Sequence, residues 1–397
     1  MAGASTLTPS APLIQGVASP DVTVDPPSFY VATRRLRFPM RSLTSIAGLG
    51  STDSTQLRQT GIVAGLEVRV TGTIVWGGTI AGSSMLYEWP FNVVRNFRLS
   101  ANGQSNLISA RGLTVRALEF ITNPKISDQG ISKSFNGTAS TIGTLALACD
   151  DWGTSGVNQL APNTTVAATG TYTVDITYYI PVCADYVSLI GSVYAQSAAT
   201  NLTLDIDWNT QAALLVVGGA ATFAHTLQYS VTGLAYSIPN VGGRFVVPDL
   251  SLFHQLAEFR QGGLAQGLNE PLLPGTGVGR RLMRLLHNVY SGATPAPLAL
   301  TATNFTNMGW AYGGNDVPES YPNGTNLRAT GVRIAGADIG ALWGFGLWDF
   351  ASQYALRDVV DEAMTSDLRV QIGLVASPTS GFVQILQETL FAAPVGA

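Results

Sequence analysis

The chain has 397 residues, of which 46% are hydrophobic and only 12% charged, and its formal net charge is −4 at pH 7. That length points to two or three compact units, and so little charge marks a protein that hides surface against copies of itself. Every positive residue except Lys125 and Lys133 is Arg and the balance is acidic, which excludes a global basic field for sequence-specific nucleic-acid binding.

Residues 1–57 are rich in Ser, Thr, Ala and Gly and are interrupted by Pro9, Pro12, Pro20, Pro26 and Pro27, which predicts an extended N-terminal arm. Its first residues, Met1-Ala2-Gly3-Ala4-Ser5-Thr6, have neither a basic lead nor a long apolar run, unlike a secretory signal. The arm carries Arg34, Arg35, Arg37 and Arg41 beside Leu36, Phe38 and Met40. Two uses fit these arginines: contact with phosphate groups on lipid or nucleic acid, or a solvated strand making ion pairs between subunits.

From Gly61 the texture changes. Ile62, Leu66, Val68, Val70, Ile74 and Trp76 recur among β-branched neighbours without helical spacing, which predicts a long strand. A second strand is predicted over 91–99, closed by Asn102-Gly103, a pair suited to a tight hairpin turn. Leu113, Ala117, Leu118 and Ile121 then recur at helical spacing, with Arg111, Arg116 and Glu119 on another face. This predicts a short helix outside the core. Alternation resumes over 172–180, 187–194 and 202–208. Short strands punctuated by Gly, Pro, Asn and Ser predict a sandwich or barrel.

The most lipid-like stretch, 212–224, falls short of the about 20 apolar residues of a spanning helix. It reads as two buried strands around Gly218-Gly219, so the chain is expected to be soluble when made. A second β-rich run follows, through 227–231, 281–290, 332–334, 342–350, 368–374 and 382–386. Each run is long enough for one jelly roll of eight strands. The expected fold is therefore all-β, with two consecutive jelly-roll sandwiches and short helical insertions: an arm over 1–57, a first roll over 58–211 and a second over 212–397.

Patterns that carry chemistry are sparse. Gly275-Thr276-Gly277-Val278-Gly279-Arg280 lacks the following Lys-Ser or Lys-Thr of a phosphate loop and reads as a glycine turn. His225, His254 and His287 lack carboxylate or cysteine neighbours at metal-ligand spacing. Asp150-Asp151 and Asp358, Asp361 and Glu362 lack the alternating acid and glycine pattern of a calcium loop. No serine sits in a Gly-x-Ser-x-Gly elbow. Asn136-Gly137-Thr138 and Asn163-Thr164-Thr165 matter only for a chain secreted in a glycosylating host. Cys149 and Cys183 have only each other as partners and read as free buried thiols. No catalytic residue, metal or cofactor is expected.

The order of segments resembles that of the double jelly-roll major capsid proteins, most of all those of tectiviruses, icosahedral phages with an internal membrane. The resemblance runs through Gly61 to Val70, through Pro90 to Phe97 with the helix after it, and best through Gly170-Thr171-Tyr172-Thr173-Val174-Asp175-Ile176-Thr177-Tyr178-Tyr179-Ile180-Pro181, Asp185, Leu189-Ile190-Gly191 and Leu202 to Ile206. Leu227 to Pro239 resembles the opening of a second roll, whereas the Gly/Trp-rich stretch 343–348 departs from the family's pattern. The resemblance implies a non-enzymatic virion subunit, made in the host cytoplasm. It implies homotrimers with a pseudo-hexagonal outline tiling a lattice with penton or minor capsid partners, and an arm beneath the shell above a lipid membrane. A rival reading, a secreted or virion-surface attachment module, would need an exposed aromatic platform such as Trp343 and Trp348. A jelly-roll glycosidase would need a close carboxylate pair, and none stands out.

Overall fold

The computed structural model describes residues 13–14, 17–18, 22–101, 104–122, 166, 168–196, 201–274, 280–292, 294–312, 316–335, 338–351, 359–361 and 367–392. Its first eight long strands are β1 (Arg35–Ser45), β2 (Thr52–Gln56), β3 (Ile62–Gly78), β4 (Val94–Ala101), β5 (Gln104–Ala110), β6 (Gly170–Pro181), β7 (Leu202–Trp208) and β8 (Gln228–Tyr236). They pair antiparallel in two sheets, β1-β8-β3-β6 and β2-β7-β4-β5. Consecutive strands alternate between sheets except at β4 to β5, the arrangement of a jelly roll.

The alternation of residue types explains why these segments are strands. Along β8, Tyr229, Val231, Gly233 and Ala235 point inward and the residues between them are half-exposed. In β3 the inward set is Leu66, Val68, Val70, Ile74 and Trp76, and Glu67 and Arg69 face out. Arg69 pairs there with Asp175 of β6 through Nε to Oδ1 at 2.8 Å. Between the sheets Phe97 meets Tyr178 edge-on at 5.2 Å, and Trp208 meets Tyr229 at the same separation. The indole of Trp208 donates to Asp53 Oδ2 at 2.6 Å, so its one polar atom is satisfied.

The second half repeats this plan. It holds β9 (Leu252–Gly262), β10 (Gly267–Asn269), β11 (Arg280–Ser291), β12 (Phe305–Tyr312), β13 (Asp316–Tyr321), β14 (Gly346–Asp349), β15 (Arg369–Leu374) and β16 (Phe382–Ala392). They form β9-β16-β11-β14 and β10-β15-β12-β13. The sheet orders match the first roll strand for strand. Each roll also inserts a helix between its fifth and sixth strands, Gly112–Thr122 in the first and Gly324–Ala335 in the second. The second helix is capped by Asn323, whose Oδ1 accepts from Asn326 N at 3.2 Å.

The rolls are joined edge to edge. β5 and β9 pair in parallel, Leu256 with Ile108 and Ala257 with Ser109, so a sheet of the first roll runs on into a sheet of the second. The hydrophobic core follows the join: Leu113, Val115 and Leu118 share one cluster with Leu256, Leu286, Trp343, Phe345 and Leu386.

Strand pairing crosses both expected domain boundaries. The segment read as an arm is sheet from Arg35 onward, because Leu36, Phe38 and Met40 face inward and β1 has an edge to fill on β8. Phe38 and Met40 pack on the core. Gly233 opposite lies close under the Met40 side chain: a Cβ there would come within 2.3 Å of Met40 Cε, and the flexible thioether would have to shift. At the other boundary, 228–236 closes the first roll between β1 and β3 and does not open the second. The 212–224 stretch is a short helix (Gln211–Leu214) and two edge strands, Leu215–Val216 on Ser84–Met85 and Ala221–His225 on β3. Val216 and Val217 are exposed, so the pair of buried strands expected there is not what forms.

The helix at Gly112–Thr122 was expected outside the core. Instead Arg116 is fully buried, ion-paired with Glu119, donating to Thr177 O at 3.2 Å and lying 5.4 Å over Phe91. Residues 332–334, read as strand, belong to the helix Gly324–Ala335, and 339–343 is a further helical turn. No helix among the described residues is long and apolar enough to cross a membrane.

Candidate functional site

The informative chemistry lies where polar and charged groups are buried, and several of them are buried between the rolls. Arg111 follows β5 and opens the first insertion helix. Its Nε lies 2.6 Å from Glu258 Oε1 and its backbone N donates to Glu258 Oε2 at 2.8 Å. Nη1 reaches Glu88 Oε1 at 2.9 Å and the Tyr290 hydroxyl at 2.8 Å, and Nη2 reaches Asn288 Oδ1 at 3.2 Å. Glu258, Asn288 and Tyr290 come from the second roll. Burial alone would lower the guanidinium's pKa, but Glu258, Tyr290 and Glu88 together hold it well above its ordinary value.

Nearer the other end, β9, β11, β14 and β16 bring together His254, Arg284, Asp349 and Glu388. Arg284 Nη1 donates to Glu388 Oε2 at 2.9 Å, and His254 Nε2 lies 3.0 Å from Glu388 Oε1. Arg284 Nε is 3.0 Å from Asp349 Oδ1, a second ionic contact of the same guanidinium. Burial would raise the Glu388 carboxyl, yet the Arg284 charge and the His254 and Arg284 hydrogen bonds hold it down at about 2. For Asp349 burial prevails over Arg284 and the pKa is raised. Sequence reading missed this cluster because its members lie on four strands and only the sheet register aligns them.

The arginines expected to make outside contacts do not act as one unit. Arg35 and Arg37 face outward on β1, and Arg37 pairs with Glu67. Arg34 is exposed just before β1, its backbone exchanging two hydrogen bonds of 2.9 Å with Ser237. After a register shift in β1, Arg41 turns to the sheet edge, 5.0 Å over the Tyr229 ring and hydrogen-bonded to Thr55. Arg34 and Arg35 sit at the end of the first roll where β3 begins and β8 ends. Beside that end the helix Pro26–Ala32 exposes Tyr30 and Val31, and Val187 is 82% exposed. Tyr30 donates to Ser188 O, tying helix to loop.

The histidines are separate. His225 is on an edge strand, His254 is in the cluster above, and His287 is buried in the second core beside Trp348 with neither ring nitrogen bonded. Desolvation lowers the His287 pKa to about 4. Among the described residues no group of three His, Cys, Asp or Glu is placed to hold a metal ion. Cys183 is a free, buried thiol whose pKa burial pushes far up. Cys149, Asp150-Asp151, Asp358, Glu362, the Asn102-Gly103 turn, the 275–279 glycine loop and both Asn-x-Thr triplets lie outside the described residues, while the backbone of Asp361 lies opposite that of Arg281 in a short strand. Trp343 and Trp348 are 4% and 1% exposed, which removes the aromatic platform an attachment module would need.

Two eight-stranded jelly rolls in one chain, joined side by side, constitute the double jelly-roll fold. Solved structures share it along nearly the whole chain. The major capsid protein of Sulfolobus Turreted Icosahedral Virus is similar over 90% of this chain and 97% of its own, with a TM-score of 0.63 at 14% identity. The Faustovirus major capsid protein covers 91% of this chain and 90% of its own at a TM-score of 0.54 and 9% identity. The PBCV-1 virus capsid gives 92%, 96%, 0.50 and 11% in the same terms. At such identities the likeness is one of fold. The sequence matches no protein-family model and no curated protein.

Proposed function

We propose that this chain is the major capsid protein of an icosahedral virus, a subunit that builds a shell and catalyses nothing. The observation that carries this reading is the pair of rolls with identical strand order, standing side by side with one continuous sheet between them. Three such chains present six similar rolls, which supports a homotrimer of pseudo-hexagonal outline that tiles a lattice. A sandwich with covered strand edges does not polymerise strand by strand, so in this reading assembly falls to side faces and loops. The strand pairing supports a division of the chain into a leading segment up to about residue 34, a first roll over 35–236 and a second over 252–392.

Penton or minor capsid proteins would complete the vertices of such a lattice. The end that carries Tyr30, Val31, Val187, Arg34 and Arg35 faces the particle interior in this reading. Exposed apolar side chains beside basic ones suit an anionic lipid surface, where each basic residue adds about 1 kcal/mol, and an internal membrane of the tectivirus kind would supply one. Native mass spectrometry should give a particle of three times 41.7 kDa; a monomer or dimer at micromolar concentration overturns the trimer. Replacing Arg34, Arg35, Arg37 and Arg41 with Gln should leave trimers intact and weaken co-sedimentation with anionic vesicles. Unchanged sedimentation and normal assembly would reassign the arginines to solvated or intersubunit ion pairs.

A further inference from the structure

At the end opposite the Pro26–Ala32 helix, a cleft of about 470 Å³ opens between the two rolls, within the size range of small-molecule sites. Its floor is the Glu88–Arg111–Tyr290 network, whose members already bond one another and so form a fixed base. Its walls are less complete. Asn92 is 4% exposed and donates Nδ2 to Ala213 O at 2.9 Å, yet its Oδ1 receives no hydrogen bond from the protein. A buried acceptor left without a donor is destabilising, and a ligand hydroxyl delivered there satisfies it.

Across the cleft, the Arg260 guanidinium lies 3.6 Å over the Phe382 ring and has no acidic partner among the described residues. Stacking fixes the plane of the guanidinium and leaves its N–H fork free, the arrangement that receives a carboxylate with two parallel hydrogen bonds. The two walls therefore ask for different groups in one molecule: a hydroxyl donor for Asn92 Oδ1 and a carboxylate for Arg260. An apolar ligand answers neither, and a simple carboxylate answers only one.

We propose that this cleft binds an acidic saccharide, with a sugar hydroxyl donating to Asn92 Oδ1 and the sugar carboxylate paired with Arg260. Its biological meaning, attachment to a host-surface glycan, rests on the capsid reading, in which the opposite end faces inward and the cleft outward. Binding itself does not depend on assembly, because the cleft is built within one chain.

The test is saturation-transfer NMR and calorimetric titration of the full chain with glucuronate, using glucose and acetate as comparators. Glucuronate should bind more tightly than either. Arg260→Gln should weaken glucuronate about ten-fold while glucose binding and thermal unfolding stay near the parent's. Arg260→Lys, which keeps the charge without the fork, should fall between them. Absence of glucuronate binding to folded protein, or equal binding by Arg260→Gln, overturns the proposal. Native mass spectrometry of the same samples reports oligomeric state separately, so a failure of the capsid reading is told apart from a failure of the site.

Discussion

The two rolls share a strand order but bury their strands differently. In β8, the closing strand of the first roll, buried and half-buried residues alternate from Gln228 to Tyr236. In β16, its counterpart in the second, Val383, Ile385, Leu386, Gln387, Glu388, Thr389 and Leu390 are all buried. β3 and β11 differ in the same sense, with Glu67 and Arg69 half-buried or exposed in one and Leu282 to Tyr290 buried throughout in the other. The inner sheet of the second roll is covered on one face by its own partner sheet and on the other by the first roll. A two-sided burial has a cost that a wet sheet escapes: every polar group on the covered face needs a partner. The Arg284–Glu388–Asp349–His254 and Arg111–Glu258–Tyr290 networks meet that need.

The difference can be broken most sharply at Leu386, on the covered face. Leu386→Lys places an unpaired charge between the rolls and should destabilise by more than about 4 kcal/mol, read as loss of folded protein in expression or denaturant titration. A modest shift would mean that the junction admits water. Next in size is Arg284→Ala, which strands two buried carboxylates and should cost about 3–5 kcal/mol by chemical unfolding; a change below 1 kcal/mol would assign the cluster no structural weight.

Acid should separate the rolls' contributions further. His287 has a folded pKa of about 4 against an ordinary 6.5, so the unfolded chain binds a proton that the folded chain refuses as pH falls between those values. Folding should lose about 3 kcal/mol across that window, and His287→Leu should flatten the loss. Glu388, held at about 2 against an ordinary 4.5, contributes stability that is present above 4.5 and lost as pH falls towards 2, while the raised Asp349 acts with the opposite sign. Unfolding curves of the parent and His287→Leu at stepped pH check both limbs; parallel curves from pH 6.5 to 4 would remove His287 from the account. The smallest effect belongs to Thr232→Lys on the open face of β8, opposite Glu67. It should change stability by no more than about 0.5 kcal/mol, and a large loss there would show that this face is covered as well.

Much of the fold was legible because strand character is written locally. Leu66, Val68 and Val70, then Tyr172, Val174, Ile176 and Tyr178, announce period two on one wet face, and these strands fell where the pattern put them. The helix near Leu113 was equally readable from its spacing. The helix Gly324–Ala335 was not, since its buried positions are Gly324, Leu327, Gly331 and Ala335, too small to write a stripe. In β11, Arg281-Leu282-Met283-Arg284 reads as a mixed strand, and nothing local marks Arg284 as 2% exposed. The cleft was invisible for the same reason: Asn92 and Arg260 carry no motif.

The sequence alone determined that the chain is all-β, long enough for two rolls, poor in charge and without a catalytic pattern, because composition and nearest-neighbour periodicity suffice for those conclusions. Tertiary structure decided which strands close which roll. Arg34 and Ser237 meet across 203 residues of chain, and that pairing is chosen by which sheet edges remain open once the cores are buried. The same closure turned Phe38 and Met40 inward, left Arg35 and Arg37 outside, and buried Arg111, Arg284 and Glu388 at a junction that exists only after both rolls have formed.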